Sequence, residues 1–224
     1  MNVVYCATRN YYHKLLPSIR SLREHHPDAV IYVVGEDDDT GIEGTISINA
    51  ADQQYFPKSG VNYNNMFTYI ALMKTVYQSL LPVEKVIHLD ADTIVADSLE
   101  PLWKMKLTDK WYAMVPEYLG KYKPFGDKYY NSGVFLANLK QLRKDGIQEK
   151  MVEYLNTVKQ PWGEQDAFNK YGIEQDKIVD LDIRFNENMM TGQTDNPAVV
   201  HYCAIPDWYG KRNMWRAEYL FRYL

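Results

Sequence analysis

Three Asp-x-Asp pairs occur among the 17 aspartates of this 224-residue chain, at Asp37/Asp39, Asp90/Asp92 and Asp180/Asp182. Random placement of that many aspartates supplies roughly 1.3 such pairs, so the spacing alone identifies nothing. Context separates them. Asp37/Asp39 lies in the acidic run Glu36-Asp37-Asp38-Asp39 and reads as a solvated loop. Asp180/Asp182 follows a short apolar run and reads as a turn or cap. Asp90/Asp92 follows Val86-Ile87-His88-Leu89 and precedes Ile94-Val95. Two carboxylates are thus delivered to the C-terminal end of a central strand, which in open α/β sheets is the ligand-binding edge. Left bare, they would repel and raise each other's pKa. A divalent cation removes that repulsion. Hard carboxylate oxygens suit Mg²⁺ or Mn²⁺, ions that keep positions open for phosphate oxygens. The competing reading, a helix cap or turn, needs no ion.

Such a pair works only if a sheet holds it. Residues 3–7, 30–34 and 86–89 are apolar runs of strand length, with weaker or later strands at 45–48, 111–115, 133–137, 178–181 and 198–201. Leu15, Leu16, Ile19 and Leu22 recur at helical spacing and predict a helix over 12–25. Further helices are predicted over 66–80, stopped by Pro82, and over 139–158, 164–171 and 215–223. Residues 52–65, rich in Gly, Pro, Asn and Tyr, read as an ordered loop. The alternation predicts one α/β domain over residues 1–224, with a mostly parallel central sheet flanked by helices.

The stretch Glu84-Lys85-Val86-Ile87-His88-Leu89-Asp90-Ala91-Asp92-Thr93-Ile94-Val95, continued by Ser98-Leu99-Glu100-Pro101-Leu102-Trp103, resembles glycosyltransferase family 8. These are retaining GT-A enzymes that include glycogenin, bacterial lipooligosaccharide galactosyltransferases and galactinol synthase. Further matches arrive in the family's order. Ala7, Thr8, Asn10 and Tyr11 resemble the first βα loop, which holds uracil; Tyr11, or Tyr12 in its place, would stack on the base. Lys74 takes the helix position of a donor-binding Lys or Arg. Tyr130-Asn131-Ser132-Gly133-Val134-Phe135 resembles the sugar-binding strand, and Gly163-Glu164-Gln165-Asp166 the acidic catalytic segment. Arg184-Phe185-Asn186 and Val199-Val200-His201-Tyr202-Cys203 complete the series.

The resemblance implies a role for each match. Asp90, Asp92 and His201 would hold the metal, the imidazole favouring Mn²⁺ with Mg²⁺ as the alternative. Asp90 and Ala91 would also border the donor. Lys74 would offset the diphosphate charge, and Asn131 and Ser132 would hydrogen-bond sugar hydroxyls. Gln165 would face the anomeric carbon, with Glu164 and Asp166 on neighbouring hydroxyls. Without the resemblance, His201 reads as a core histidine and Lys74 as a solvated helix residue. Glu164, Gln165 and Asp166 then read as partners of a helix N-terminus.

Two departures stand out. The family continues its final histidine as His-x-x-Gly-x-x-Lys-Pro-Trp; here Ala204 replaces the Gly and no Lys-Pro-Trp follows. Lys211 or Arg212 would have to reach the phosphates from a shifted loop. Glu164 stands where Asp is usual, and the extra methylene moves the charge by about one ångström.

The remaining composition narrows the function. Net charge is −4, without the basic stripe of a nucleic-acid binder. Two cysteines, Cys6 and Cys203, each in an apolar run, read as buried free thiols rather than a disulfide framework. Nineteen tyrosines suit a polar-lined cleft as well as ordinary packing. No apolar run spans a membrane, and the first residues lack the pattern of a signal peptide, so a cytoplasmic protein is expected. The expected activity is Mn²⁺-dependent, retaining transfer of a hexose, glucose or galactose, from a UDP-sugar to a carbohydrate or glycoprotein acceptor. A homodimer is compatible with that activity. The rival readings are a nucleotidyltransferase and a non-catalytic nucleotide-sugar-binding domain. The first would carry a Gly-rich phosphate loop, which Ala7-Thr8-Arg9-Asn10 is not.

Overall fold

The computed structural model describes residues 1–64, 68–203 and 205–224. Its strands are β1 (Asn2–Cys6), β2 (Val30–Gly35), β3 (Ile46–Asn49), β4 (Lys85–Leu89), β5 (Thr93–Val95), β6 (Tyr112–Pro116), β7 (Tyr130–Asn138), β8 (Ile178–Asp180) and β9 (Val199–His201). Seven of them form a sheet in the order β3-β2-β1-β4-β7-β6-β8, and β5 pairs with β9 in a separate two-stranded ribbon. In the large sheet β7 alone runs against its neighbours, β4 and β6; every other pairing is parallel. The mostly parallel α/β sheet expected from the sequence is therefore present. The reversal of β7 has a local consequence: its first residues lie at the edge where β1, β4 and β6 end.

α1 (Tyr12–His25) buries Leu15, Ile19 and Leu22 on one face of the sheet, against Val3, Tyr5, Ile31 and Val33. On the other face the core gathers Val4, Val34, Val86, Tyr112 and Phe135 with Met73, Val76, Met151 and Phe168. The predicted helix over 66–80 is three pieces. α2 (Thr68–Leu72) gives way to a 3₁₀ turn at Met73–Val76, and α3 (Tyr77–Leu80) follows; Met66 and Phe67 lie outside the described residues. Thr75 and Val76 are β-branched and disfavour an extended α-helix, so the tighter winding is tolerated here.

α4 (Glu100–Lys104) is a single turn that periodicity does not reveal. The predicted helix over 139–158 is also divided, into α5 (Leu139–Asp145) and α6 (Gln148–Thr157). Gly146 ends α5 with φ +62°, the left-handed cap that glycine adopts without a Cβ penalty. α7 (Glu164–Glu174) and the short α8 (Ala217–Phe221) complete the chain. Cys6 and Cys203 are unpaired; Cys6 is buried and Cys203 partly so. Among the described residues no helix is long and apolar enough to cross a membrane.

Candidate active site

Asp90 is the first residue beyond β4, Asp92 the last before β5, and His201 ends β9. The register of the small ribbon sets Thr93 opposite His201, which delivers the imidazole beside the two carboxylates. His201 Nε2 lies 3.2 Å from Asp92 Oδ1 and 3.9 Å from Asp90 Oδ2. One ligand atom from each of the three residues falls within a 4.8 Å group. Two backbone bonds fix the turn: Asp90 N–H donates to Gly133 O at 2.8 Å, and Tyr202 N–H to Asp92 O at 2.8 Å. Gly133 is required for space, since a Cβ there would sit 2.0 Å from His201 Cε1. The imidazole fills the volume that the absent side chain leaves.

The proton of His201 is placed by its other nitrogen. Nδ1 is 2.8 Å from Asn186 Oδ1, which also accepts from Asn188 Nδ2, while Asn186 Nδ2 donates to Asn131 Oδ1. The carbonyl oxygen can only accept, so Nδ1 carries a hydrogen and Nε2 is the nitrogen turned to the carboxylates, where it would give its lone pair to a bound cation. Burial alone would depress the imidazole's pKa, but the Asp92 and Asp90 charges outweigh it and raise it. Two carboxylates and one outward lone pair are a donor set that fits a divalent cation.

Lys74 sits behind this trio. Its side chain is 4% exposed, and Nζ lies 2.7 Å from Asp90 Oδ1 and 3.0 Å from Glu164 Oε1. Burial opposes the ammonium, yet the Asp90 and Glu164 charges prevail and hold its pKa above the usual lysine range. Burial likewise works against the Asp90 anion, but Lys74 overrides it and keeps that carboxyl well below the ordinary range. Glu164 goes the other way: burial raises its pKa against the pull of Lys74. Its Oε2 is buried without a hydrogen-bond partner among the described residues.

Glu164 and Gln165 open α7, and Asn131 and Ser132 open β7. Ser132 N–H donates to Gln165 Oε1 at 2.8 Å, and Gln165 Nε2 donates to Glu117 Oε1 at 3.2 Å. Asn131 Nδ2 donates to the same oxygen of Glu117 at 3.0 Å. The Gln165 amide is thus held at both ends. Glu117 was not among the residues expected from sequence. It follows β6 directly, as Asp90 follows β4, but it stands alone, without the paired acid that singles out Asp90. Burial raises its pKa, while the Asn131 and Gln165 hydrogen bonds pull it down.

Not every expected residue joins this cluster. Asp166 has no exposed surface; Oδ1 accepts from Tyr129 Oη at 2.8 Å and Oδ2 from Trp162 N–H at 2.9 Å. That is the geometry of an acid reaching back across a helix start. Lys211 is exposed, with Nζ 3.4 Å from Pro206 O, and Arg212 lies over Phe221. Ala204 lies outside the described residues. In the first βα turn, Ala7 is buried and its N–H donates to Val34 O at 3.1 Å. Thr8 is half-buried and precedes a 3₁₀ turn at Arg9–Tyr11, on which Asn10 is exposed. Tyr11 is 43% exposed with Lys14 Nζ 4.1 Å from its ring, whereas Tyr12 Oη accepts from Glu36 N–H at 2.6 Å. Because β1 and β4 are parallel neighbours, this turn and Asp90 open at one sheet edge. Ala91 is half-buried between the two aspartates.

Residues 2–206 match the sequence model of Glycosyl transferase family 8. A putative glycosyltransferase of Haemophilus influenzae is 26% identical over 210 residues, which cover 83% of this chain and 63% of the relative. Glycosyltransferase GlyA of Streptococcus pneumoniae is 22% identical over 219 residues, covering 89% of this chain and 31% of the relative. The chain therefore spans less than two thirds of the length of these relatives. A crystal structure of the galactosyltransferase LgtC with donor and acceptor sugar analogs superposes with a TM-score of 0.73. It is 25% identical, and the match covers 99% of this chain and 94% of that one. The glycosyltransferase GlyE of Streptococcus pneumoniae shares the fold, with a TM-score of 0.73 at 17% identity over 99% of this chain and 59% of that one.

Proposed function

Since the chain belongs to glycosyltransferase family 8, we propose that it transfers a hexose, glucose or galactose, from a UDP-sugar to a carbohydrate or protein acceptor with retention. The observation that carries this reading is the convergence of Asp90, Asp92 and His201 beside a buried Lys74 at the carboxyl edge of a mostly parallel sheet. Residues 1–224 would act as one catalytic domain, in the cytoplasm.

Breaking an anomeric C–O bond gives an oxocarbenium-like state and negative charge on the leaving oxygen. A glycosidase protonates that oxygen with a carboxylic acid. A diphosphate leaving group needs no such proton. A divalent cation, Mn²⁺ by preference for the imidazole, would supply Lewis-acid stabilisation of the diphosphate. Asp90, Asp92 and the His201 Nε2 lone pair would hold it. Lys74 would add a fixed positive charge that is already desolvated and needs no reorganisation. The base would lie on the first βα turn, among Ala7, Thr8, Asn10 and Tyr11.

On the sugar side, Glu164 Oε2 is a buried acceptor in need of a donor, as a hydroxyl would be. Asn131 and Ser132 border the same space. Gln165, clamped by Ser132 and Glu117, would present a neutral amide to the anomeric carbon. A neutral amide is a poor nucleophile, which favours a same-face route in which the departing diphosphate oxygen takes the acceptor's proton. Asp166 would act by bracing the start of α7.

A panel of UDP-sugars with Mn²⁺, read by thermal shift, tests the donor assignment, because a ligand that binds only the fold raises its melting temperature. Stabilisation by UDP-glucose or UDP-galactose is expected. Equal stabilisation by GDP and UDP would contradict a uracil pocket. NMR of the first-formed product should show an α linkage from an α-donor. The exposed position of Lys211 favours one second reading, a non-catalytic nucleotide-sugar-binding module. Slow Mn²⁺-dependent hydrolysis of the donor without acceptor would exclude it.

A further inference from the structure

His88 has no exposed surface and lies directly behind Asp90. Its Nε2 is 2.9 Å from Asp90 Oδ1, and its Nδ1 is 3.0 Å from Tyr77 Oη. Tyr77 Oη is in turn 2.6 Å from Cys6 Sγ. Tyr77 is 1% and Cys6 9% exposed, so water has little access to the series. It crosses three elements, from β1 through α3 to β4.

Hydrogen-bond inventory sets the direction of every link. An ionised Asp90 can only accept, so Nε2 of His88 carries a hydrogen. A second hydrogen, on Nδ1, would make the ring a cation on the very oxygen that Lys74 Nζ already holds at 2.7 Å. It would also aim that hydrogen at Tyr77, whose own hydrogen would then have to meet the thiol. With the ring neutral, Tyr77 donates to Nδ1 and its oxygen accepts from the Cys6 thiol. Each group then has a partner of the right kind. Burial pushes the Cys6 thiol up to about 12, so it keeps the hydrogen it must donate.

We propose that Cys6, Tyr77 and His88 are positioning residues for the metal site. Together with Lys74 they occupy Oδ1 of Asp90 from behind, leaving Oδ2 as the oxygen presented to the divalent cation. Oδ2 is the oxygen on the side of His201, 3.9 Å from its Nε2. In the metal-bound state the two buried histidines of the site would therefore hold their protons on opposite nitrogens. With a cation bound, His201 would keep its hydrogen on Nδ1 and offer Nε2 as a ligand, while His88 is protonated on Nε2 and offers a donor. The proposal rests on the reading of Asp90, Asp92 and His201 as a metal site, and Asp90 is the point where the two meet.

Two measurements test it. ¹⁵N NMR of the metal-free protein reads the histidine tautomers directly. His88 should show the Nε2–H form, and Tyr77→Phe, which removes the donor to Nδ1 found among the described residues, should disturb that signature while the His201 signals stay unchanged. Mn²⁺ affinity in the presence of UDP, read by electron paramagnetic resonance of the free ion, should fall at least tenfold in His88→Phe, the range expected when a group supporting a metal ligand is lost. His88→Gln, which can place an N–H near the position of Nε2, should recover most of it. An Nδ1–H tautomer in the wild type would overturn the proposal, as would unchanged Mn²⁺ affinity in folded His88→Phe. Asp92→Asn is the control: if it too left Mn²⁺ affinity unchanged, the failure would lie in the metal reading instead.

Discussion

Gly133 shows how tightly single residues are tied to the chemistry. Its missing side chain is the space that His201 occupies, and the carbonyl of the same residue holds the backbone of Asp90. Gly133→Ala would place a methyl group 2.0 Å from His201 Cε1. The ring must move, since overpacking of this kind costs about 1–3 kcal/mol when absorbed elsewhere. The expected outcome is a folded protein with a lower melting temperature and weakened Mn²⁺-dependent UDP binding, read by calorimetry. Wild-type binding would mean that His201 is not where the metal needs it. His201 also illustrates what sequence can convey about one residue. Its place after Val199-Val200 is visible in the sequence, and Arg184-Phe185-Asn186 matches the family series, but that the Asn186 carbonyl, 15 positions away, fixes the hydrogen on Nδ1 is not.

At the scale of elements, α7 and α4 are held in ways that yield separate expectations. Asp166 reaches back from the first turn of α7 to Trp162 N–H and also takes the buried Tyr129 hydroxyl. Asp166→Ala would remove the carboxylate that accepts from both that hydroxyl and that amide, at about 1–3 kcal/mol for a buried hydrogen-bonding group. Its melting temperature should drop by several degrees, at about 2–4 °C per kcal/mol for a chain of this size. UDP affinity of the folded protein should hardly change; a loss of binding with unchanged melting would return Asp166 to the sugar site. The start of α4 depends on His26, just past α1, whose Nε2 accepts from Leu99 N–H at 2.8 Å. Burial holds the His26 pKa below its ordinary value. The unfolded chain therefore takes up this proton at a higher pH than the fold does. The stabilisation is complete above the ordinary histidine pKa and is lost as the pH falls through the depressed one. His26→Gln, which keeps an acceptor without titrating, should melt with a shallower decline between pH 7 and pH 5. Parallel declines for the two proteins would remove His26 from the acid sensitivity.

Across the whole molecule, legibility follows how local each cause is. The strand ending at Asp90 and the helix over 12–25 were readable because their apolar spacing is carried by adjacent residues. The breaks at Met73–Val76 and Gly146 were not, because apolar residues continue across them. The meeting of Asn131 and Ser132 with Gln165 depends on β7 running against the sheet, a property of topology that no window of sequence contains. Glu117 was missed because a lone acid after a strand looks like any turn residue. The segment after His201 shows the converse. Its departure from the family pattern was plain in the sequence, and Lys211, the substitute expected there, sits exposed with its ammonium toward Pro206 O. Among the described residues Lys74 is a buried cation beside Asp90, and under the proposed reading it would offset the diphosphate charge.

Release of UDP from UDP-glucose or UDP-galactose, with Mn²⁺ and with or without an acceptor sugar, brings these scales together in one assay. Asp92→Asn removes a charge from the proposed metal site and keeps its shape. The wild type should release UDP only when Mn²⁺ is present. The Asp92→Asn protein, with an unchanged circular dichroism spectrum, should release essentially none. Wild-type turnover by folded Asp92→Asn would show that Asp90, Asp92 and His201 do not hold a catalytic cation.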